Sequence, residues 1–147
     1  MLGLRKLTLA DMEAAAAVHR ASFNHALPKL AGLHTPEEDR IFYRTQMFPA
    51  CQVWGAEKQS KLVGIIAFRE DWIDQLYVLP HAQGRGVGSD LLEVAQEAFP
   101  VLNLWTFQCN AHARRFYELN GFVELRKTDG SGNEEKEPDV LYRWKRG

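Results

Sequence analysis

Leu76-Tyr77-Val78-Leu79-Pro80-His81-Ala82-Gln83-Gly84-Arg85-Gly86-Val87-Gly88-Ser89, followed by the apolar-periodic run from Asp90 to Phe99, decides the reading of this chain. The residues up to Val78 suit a strand, the glycines a tight turn, and the spacing after Ser89 a helix. A strand passing through a glycine turn into a helix gathers backbone N–H groups and a positive helix end around one anion. The stretch therefore predicts a ligand that carries phosphate. Gly84, Gly86 and Gly88 let the backbone approach phosphate oxygens closely and reach conformations costly to other residues.

Two familiar loops fail against this spacing. A Walker loop needs G-x-x-x-x-G-K-[ST], but Gly88 is followed by Ser89 and Asp90, and no lysine occurs between Leu62 and Arg126. A dinucleotide fingerprint needs G-x-G-x-x-G and an acidic residue about 20 positions on. Here the glycines fall at 84, 86 and 88, and Trp105-Thr106-Phe107-Gln108-Cys109 carries no Asp or Glu.

Gln83, Gly86 and Gly88 match [QR]-x-x-G-x-[GA], and the segment resembles the acyl-CoA-binding motif of the GNAT superfamily of N-acyltransferases. Downstream, Asn110-Ala111-His112-Ala113-Arg114-Arg115-Phe116-Tyr117-Glu118-Leu119-Asn120-Gly121-Phe122 is similar to that family's N-x-x-A-x-x-F-Y-E-x-x-G-F element. The order and separation of the two motifs fit as well. The resemblance runs from about Leu62 to Trp144, whereas the first sixty or so residues follow the family in pattern rather than in motif.

The chain has 147 residues, 46% hydrophobic and 25% charged, the balance of one globular domain with a substantial core, so residues 1–147 are read as a single domain. Its formal charge of -1 is interspersed, which leaves no field favouring nucleic acid or an anionic membrane. Apolar runs such as Leu62 to Phe68 are far shorter than the roughly 20 residues a bilayer demands, and Met1 to Lys6 lacks a signal peptide's apolar centre. The expectation is a cytoplasmic protein, monomer or homodimer, with a small-molecule or peptide amine as partner. Cys51 and Cys109 make no disulfide framework, and the five histidines show no metal-ligand spacing, so no metal is predicted.

Read along its length, the chain starts with a strand candidate at Leu4–Leu9, then a helix capped by Thr8 or Asp11 and running to about Phe23. Asn24 to His34 reads as a loop, and Thr35-Pro36-Glu37-Glu38 opens a second helix with a capping box. Cys51–Ala56 and Lys61–Phe68 form a hairpin, and Trp72–Val78 is the strand from which the glycine loop hangs. After a helix over Ser89–Phe99, Leu102–Phe107 is apolar enough for a buried parallel strand, its crossover right-handed. Ala111–Leu119 is helical, capped by Asn110 and stopped at Asn120-Gly121. Phe122–Lys127 and Val140–Trp144 are the last strands, separated by a polar segment that is an exposed loop or a mobile lid. The sum is an α/β domain with a mixed sheet. The resemblance adds that its central parallel strands splay apart between flanking helices.

The resemblance also implies roles. Backbone N–H groups from about Arg85 to Ser89, Val87 and Gly88 included, would bind the pyrophosphate of acetyl-CoA, with Gln83 and Arg85 as further donors and Gly84 in the turn. Leu76 and Val78 would pair through their backbones with the pantetheine amides, and Asn110 would reach them with its side chain or serve only as a helix cap. Tyr117 matches the tyrosine that commonly protonates the leaving thiolate; the alternative is a core tyrosine packed on Phe116. A backbone N–H near Val78 would hold the oxyanion. An arriving ammonium needs a base, and Glu70, Asp71 and Asp74 lie near the splayed strand. Alternation sets Asp74, Leu76 and Val78 on one face, which makes Asp74 the choice. Phe23, Asn24, His25, His34 and Tyr43 could shape the acceptor pocket. The activity implied is acetyl transfer from acetyl-CoA to a primary amine; a non-catalytic acyl-CoA-binding module and an enzyme for longer acyl chains stand as alternatives.

Overall fold

The computed structural model describes residues 2–147. One seven-stranded sheet has the order β1-β2-β3-β4-β5-β7-β6. β1 (Leu2–Lys6), β2 (Gln52–Lys58), β3 (Lys61–Arg69) and β4 (Trp72–Val78) pair antiparallel in succession. β5 (Val101–Phe107) lies parallel to β4, and β7 (Asp139–Lys145) then joins it to the edge strand β6 (Val123–Lys127).

Helices cover both faces and enclose two cores. On one face α4 (Val87–Ala98) and α5 (Ala111–Leu119) bury Leu91, Leu92, Leu102, Leu104 and Tyr117 with β3 and β7 residues. On the other, α1 (Met12–Ala26) packs Met12, Ala15 and Val18 with Val53, Ile65 and Ala67, joined by Tyr43, which follows α2 (Pro36–Phe42). Burial of this apolar surface at roughly 25 cal/mol per Å² is the main favourable contribution to the fold.

Several boundaries depart from the sequence expectation for local reasons. The first strand is Leu2–Lys6 instead of Leu4–Leu9: Leu7 turns into the core, and the Asp11 carboxylate accepts the Thr8 N–H at 2.7 Å, which ends the extended run. α1 continues to Ala26, so Asn24 and His25 belong to the helix and not to the loop; Pro28 disfavours helix at Leu27 and closes it. The capping box of α2 is complete, with Glu38 N donating to Thr35 Oγ1 at 3.1 Å and Thr35 N to Glu38 Oε1 at 2.8 Å. Beyond it the chain widens into a π-turn at Tyr43–Met47 and a single turn α3 (Phe48–Ala50), which the sequence reading did not contain.

β4 and β5 pair at Trp72–Asn103 alone and diverge beyond it. Asn103 clamps the base of the splay, its backbone N and side-chain Nδ2 both donating to Asp71 O at 2.7 and 2.9 Å. Just above, Ala67 pairs with Gln75 and Phe68 with Ile73, which leaves Asp74 as the extra residue of a β-bulge. A bulge bends and further twists its strand, here at the point where β4 leaves β5. It also breaks the alternation: Ile73 and Leu76 belong to the α4–α5 core, whereas Asp74 reaches Cys51 on the α1 side. The expectation that Asp74 shares a face with Leu76 and Val78 is therefore corrected.

The segment between β6 and β7 is a tied loop. Asn133 Nδ2 donates to Glu137 O at 2.8 Å and to Asp139 Oδ2 at 3.2 Å, and Gly130 N donates to Thr128 Oγ1 at 3.1 Å. Gly130 has φ +83, and a Cβ there would lie 2.4 Å from the Glu137 carbonyl carbon, so only glycine fits. Lys29–Glu137 at 3.1 Å and His34–Glu134 at 2.7 Å hold the loop to the connection between α1 and α2. Among the described residues no helix is long and apolar enough to cross a membrane.

Candidate active site

The glycine turn sits at the open end of β4. Gly84 and Gly86 have φ of +76 and +83, and a Cβ on either would meet nothing within 4 Å, so backbone conformation and not crowding demands glycine there. Gly88 is different: its Cβ would lie 3.2 Å from Phe116 of α5 and 3.8 Å from Val78, so its bareness lets α4, α5 and β4 converge. Gly86 caps α4, and the first helical bond runs from Asp90 N to Gly86 O at 3.0 Å. The N–H groups of Val87, Gly88 and Ser89 precede that bond and have no intrahelical acceptor, as at every helix start. With the positive helix end they form a site for an anion. Val87 contributes only backbone, its side chain being buried, while Arg85 and Ser89 are exposed. Gln83 donates from Nε2 to Val78 O at 2.9 Å and so fastens the loop to the strand.

The splay itself is a cavity of about 100 Å³ that reaches both faces of the sheet. Leu76, Leu104, Asn110, Ala113 and Tyr117 line it from the α4–α5 side, and Phe23, Ala26, Tyr77 and Phe107 from the α1 side. Leu79 N donates to Val63 O at 2.8 Å, so beyond the bulge the odd-numbered residues of β4 bond to β3. By the strand's period of two, the backbone groups of Leu76 and Val78 face the splay, where β5 has moved away. Asn110 caps α5, its Oδ1 accepting from Ala113 N at 3.2 Å, and also lines the cavity, so its two possible roles coexist.

Tyr117 is 8% exposed, set among Phe116, Phe122 and Tyr142 with ring centroids 5.4, 5.5 and 6.3 Å away. Its hydroxyl makes no hydrogen bond with any described residue, although the ring lines the splay. Burial pushes the phenol above its ordinary value, so it carries its proton throughout the neutral range. Asp74 also lines the cavity, but its carboxylate accepts from Arg69 Nε at 2.7 Å, Arg69 Nη2 at 3.2 Å and the Cys51 thiol at 3.1 Å. Burial, and then the Asp74 carboxylate, push the Cys51 thiol up to about 12.

His25 and His34 do not reach the splay: His25 is exposed on the last turn of α1, and His34 pairs with Glu134. The imidazole near the site is His19, which the sequence reading passed over. Its Nδ1 is 2.6 Å from the Tyr43 hydroxyl, and its ring lies 4.4 Å from that of Tyr77. Beside them Arg20 forks onto Asp39 at 2.7 and 2.8 Å. No single-sequence signal separates His19 from the other histidines, because its environment is assembled from α1, the π-turn and β4. Burial, and then the Arg20 charge, lower its pKa to about 4. Since the unfolded value is near ~6.5, the unfolded chain takes up the proton first as pH falls. The stability contributed by neutral His19 is complete above about pH 6.5 and is lost as pH falls through about 4, a loss approaching about 3 kcal/mol. Denaturant unfolding across this window should show that slope, and His19→Gln should flatten it. An equal slope in the variant would assign the effect elsewhere.

On the α1 face the splay opens beside a larger cavity of about 690 Å³, between Trp105, Thr106 and Phe107 of β5, Arg126 of β6, the β6–β7 loop with Asp129 and Glu135, and Asp139 at the start of β7. The splay and this cavity share Trp105, Thr106 and Phe107. Among the described residues no cluster of metal-ligating side chains is present.

Residues 49–124 match the family model described as an acetyltransferase (GNAT) domain. The chain is 35% identical over 72 residues to the peptidyl-lysine N-acetyltransferase YiaC of Escherichia coli strain K12, a match covering 48% of this chain and 49% of YiaC. It thus spans about half the length of that relative. It is 25% identical over 123 residues to the peptidyl-lysine N-acetyltransferase YjaB of Salmonella typhimurium, covering 83% of each. Among solved structures, apo-form YjaB from Escherichia coli superposes with a TM-score of 0.81 at 21% identity over 100% of this chain and 99% of that one. The PaiA N-acetyltransferase from Thermoplasma acidophilum in complex with coenzyme A gives 0.74 at 22% identity over 99% of each. The fold is the same in all three proteins.

Proposed function

Because the chain belongs to the GNAT family of acetyltransferases, we propose that it transfers an acetyl group from acetyl-CoA to a primary amine, with a lysine side chain as the preferred acceptor. The observation that carries this reading is Tyr117, a protonated phenol without a partner among the described residues, lining the splay that opens toward the glycine loop. The acceptor class is suggested by the names of YiaC and YjaB, both peptidyl-lysine N-acetyltransferases. A splay cavity of about 100 Å³ suits a two-carbon acyl group better than a long chain.

In this reading the N–H groups of α4's first turn hold the pyrophosphate, and Leu76 and Val78 offer backbone groups to the pantetheine amides. Acetyl-CoA supplies an activated thioester. The backbone near Val78 faces the developing oxyanion, and Tyr117 donates its proton toward the thiolate as the amine attacks. Asp74 is the only carboxylate among the residues lining the splay and is assigned the amine's proton. Asp74→Asn should lower kcat and leave acetyl-CoA affinity unchanged. Arg69→Gln separates this from a structural effect, since it breaks the same ion pair while keeping the carboxylate. A wild-type kcat in Asp74→Asn would remove Asp74 from the mechanism.

CoA-thiol release measured against a panel of amines, including a lysine peptide blocked at its N-terminus, tests the whole reading. Acetyl-CoA binding without release by any amine would favour the non-catalytic module.

A further inference from the structure

The 690 Å³ cavity has three carboxylates on its wall, Asp129, Glu135 and Asp139. Two are committed. Asp129 Oδ1 accepts from Ser131 N at 2.9 Å, and Asp139 accepts from Thr128 Oγ1 and from Asn133 Nδ2. Their loop neighbours Glu134 and Glu137 are bound to His34 and Lys29. Glu135 alone of this group forms no hydrogen bond or ion pair with any described residue, although it is half-buried and sits with Thr106 and Phe107, residues that also line the splay. Burial holds the Tyr77 phenol on the splay wall above its ordinary value, and the Glu135 charge adds to that against the opposing Arg20. The loop that carries Glu135 is fixed by Asn133, by the Gly130 turn and by the two ion pairs to the α1–α2 connection. The one cation on the cavity wall, Arg126, lies over the Trp105 ring at 5.4 Å and makes no ion pair with Glu135. A half-buried carboxylate left unpaired in this way, mounted on a fixed loop beside aromatic side chains, is a site for a cation on an apolar stem.

Taking the acceptor to be an amine, as proposed above, we infer that Glu135 docks the acceptor's ammonium at the mouth of the splay and selects a cationic amine carried on an unbranched alkyl chain. Phe107 flanks the stem, on the side of the cavity away from the Arg126 guanidinium that covers Trp105. Glu135 binds and orients the ammonium; the proton is removed afterwards, deeper in the splay.

The test compares wild type, Glu135→Gln and Glu135→Asp with two acceptors, an N-terminally blocked lysine peptide and an arylamine that is uncharged at neutral pH. Loss of a charge-assisted hydrogen bond should raise the lysine-peptide KM by roughly 10- to 100-fold in Glu135→Gln. kcat should stay within a few-fold, the arylamine KM should not move, and Glu135→Asp should restore part of the loss. Calorimetry with the lysine peptide in the presence of CoA reads the same contact without turnover. An unchanged lysine-peptide KM in Glu135→Gln, equal losses for both acceptors, or a fall in kcat at constant KM would overturn the docking role while leaving the acetyltransferase reading intact. Glu135-dependent peptide binding with no acetyl transfer by wild type would do the reverse, and absence of Glu135-dependent binding in a protein without transfer would overturn both.

Discussion

Gly86→Glu is expected to weaken acetyl-CoA binding by at least about 100-fold in calorimetry. A carboxylate at this position stands at the mouth of α4, against the N–H groups of Val87 to Ser89, where the pyrophosphate is assigned. Like charges near 4 Å repel by about 4 kcal/mol at the effective dielectric of a protein surface, more than the roughly 2.7 kcal/mol that a 100-fold change needs. The φ of +83 adds a separate cost of order 1–3 kcal/mol for any side chain, which appears as lower stability. Gly86→Ala carries that strain without the charge, and no protein atom within 4 Å of its Cβ obstructs it. The pair should therefore resemble each other in melting temperature and differ in affinity. Undiminished binding by Gly86→Glu would place the pyrophosphate elsewhere.

The second large effect is expected at Tyr117. Removing the hydroxyl in Tyr117→Phe should lower kcat by roughly 100- to 1000-fold, the lower part of the usual span for acid–base groups, with acetyl-CoA affinity nearly unchanged. The ring contacts with Phe116, Phe122 and Tyr142 are retained by phenylalanine, and the lost hydroxyl has no hydrogen bond to a described residue. Stability should accordingly stay close to wild type, which separates the chemical role from a packing one. A preserved kcat with a raised KM would make Tyr117 a binding residue.

Much of the site is local and therefore legible in the chain. The glycine spacing from Gly84 to Gly88 requires left-handed backbone at two of its positions, and the following apolar period sets α4. Asn110 to Leu119 carries its own cap and its own stop, and the helix observed is the one the residues prescribe. Thr35 and Glu38 cap α2 in the same self-contained way.

What the chain could not disclose depends on contacts between segments far apart. The bulge at Asp74 exists because β3 and β4 differ by one residue in their pairing, and a one-residue shift moves a side chain to the opposite face of the sheet. Alternation along β4 taken alone therefore set Asp74 beside Leu76, whereas the pairing sets it beside Cys51 and Arg69. His25 and His34 looked placed for the acceptor because α1 was read as ending at Phe23; with Phe23 and Leu27 both buried the helix runs on to Ala26, and His19 is the imidazole against the β4 wall. The β6–β7 segment has no periodicity to read, and its order comes from side chains of Asn133 and Lys29 meeting carbonyl and carboxylate groups across it. Local propensity and motif chemistry, which act over a few residues, are written in the sequence: the strand–turn–helix anion site, the capped α5 and its tyrosine. The splay, the side of the sheet on which each carboxylate emerges and the unpaired state of Glu135 are properties of register and long-range packing, and only the tertiary structure decides them.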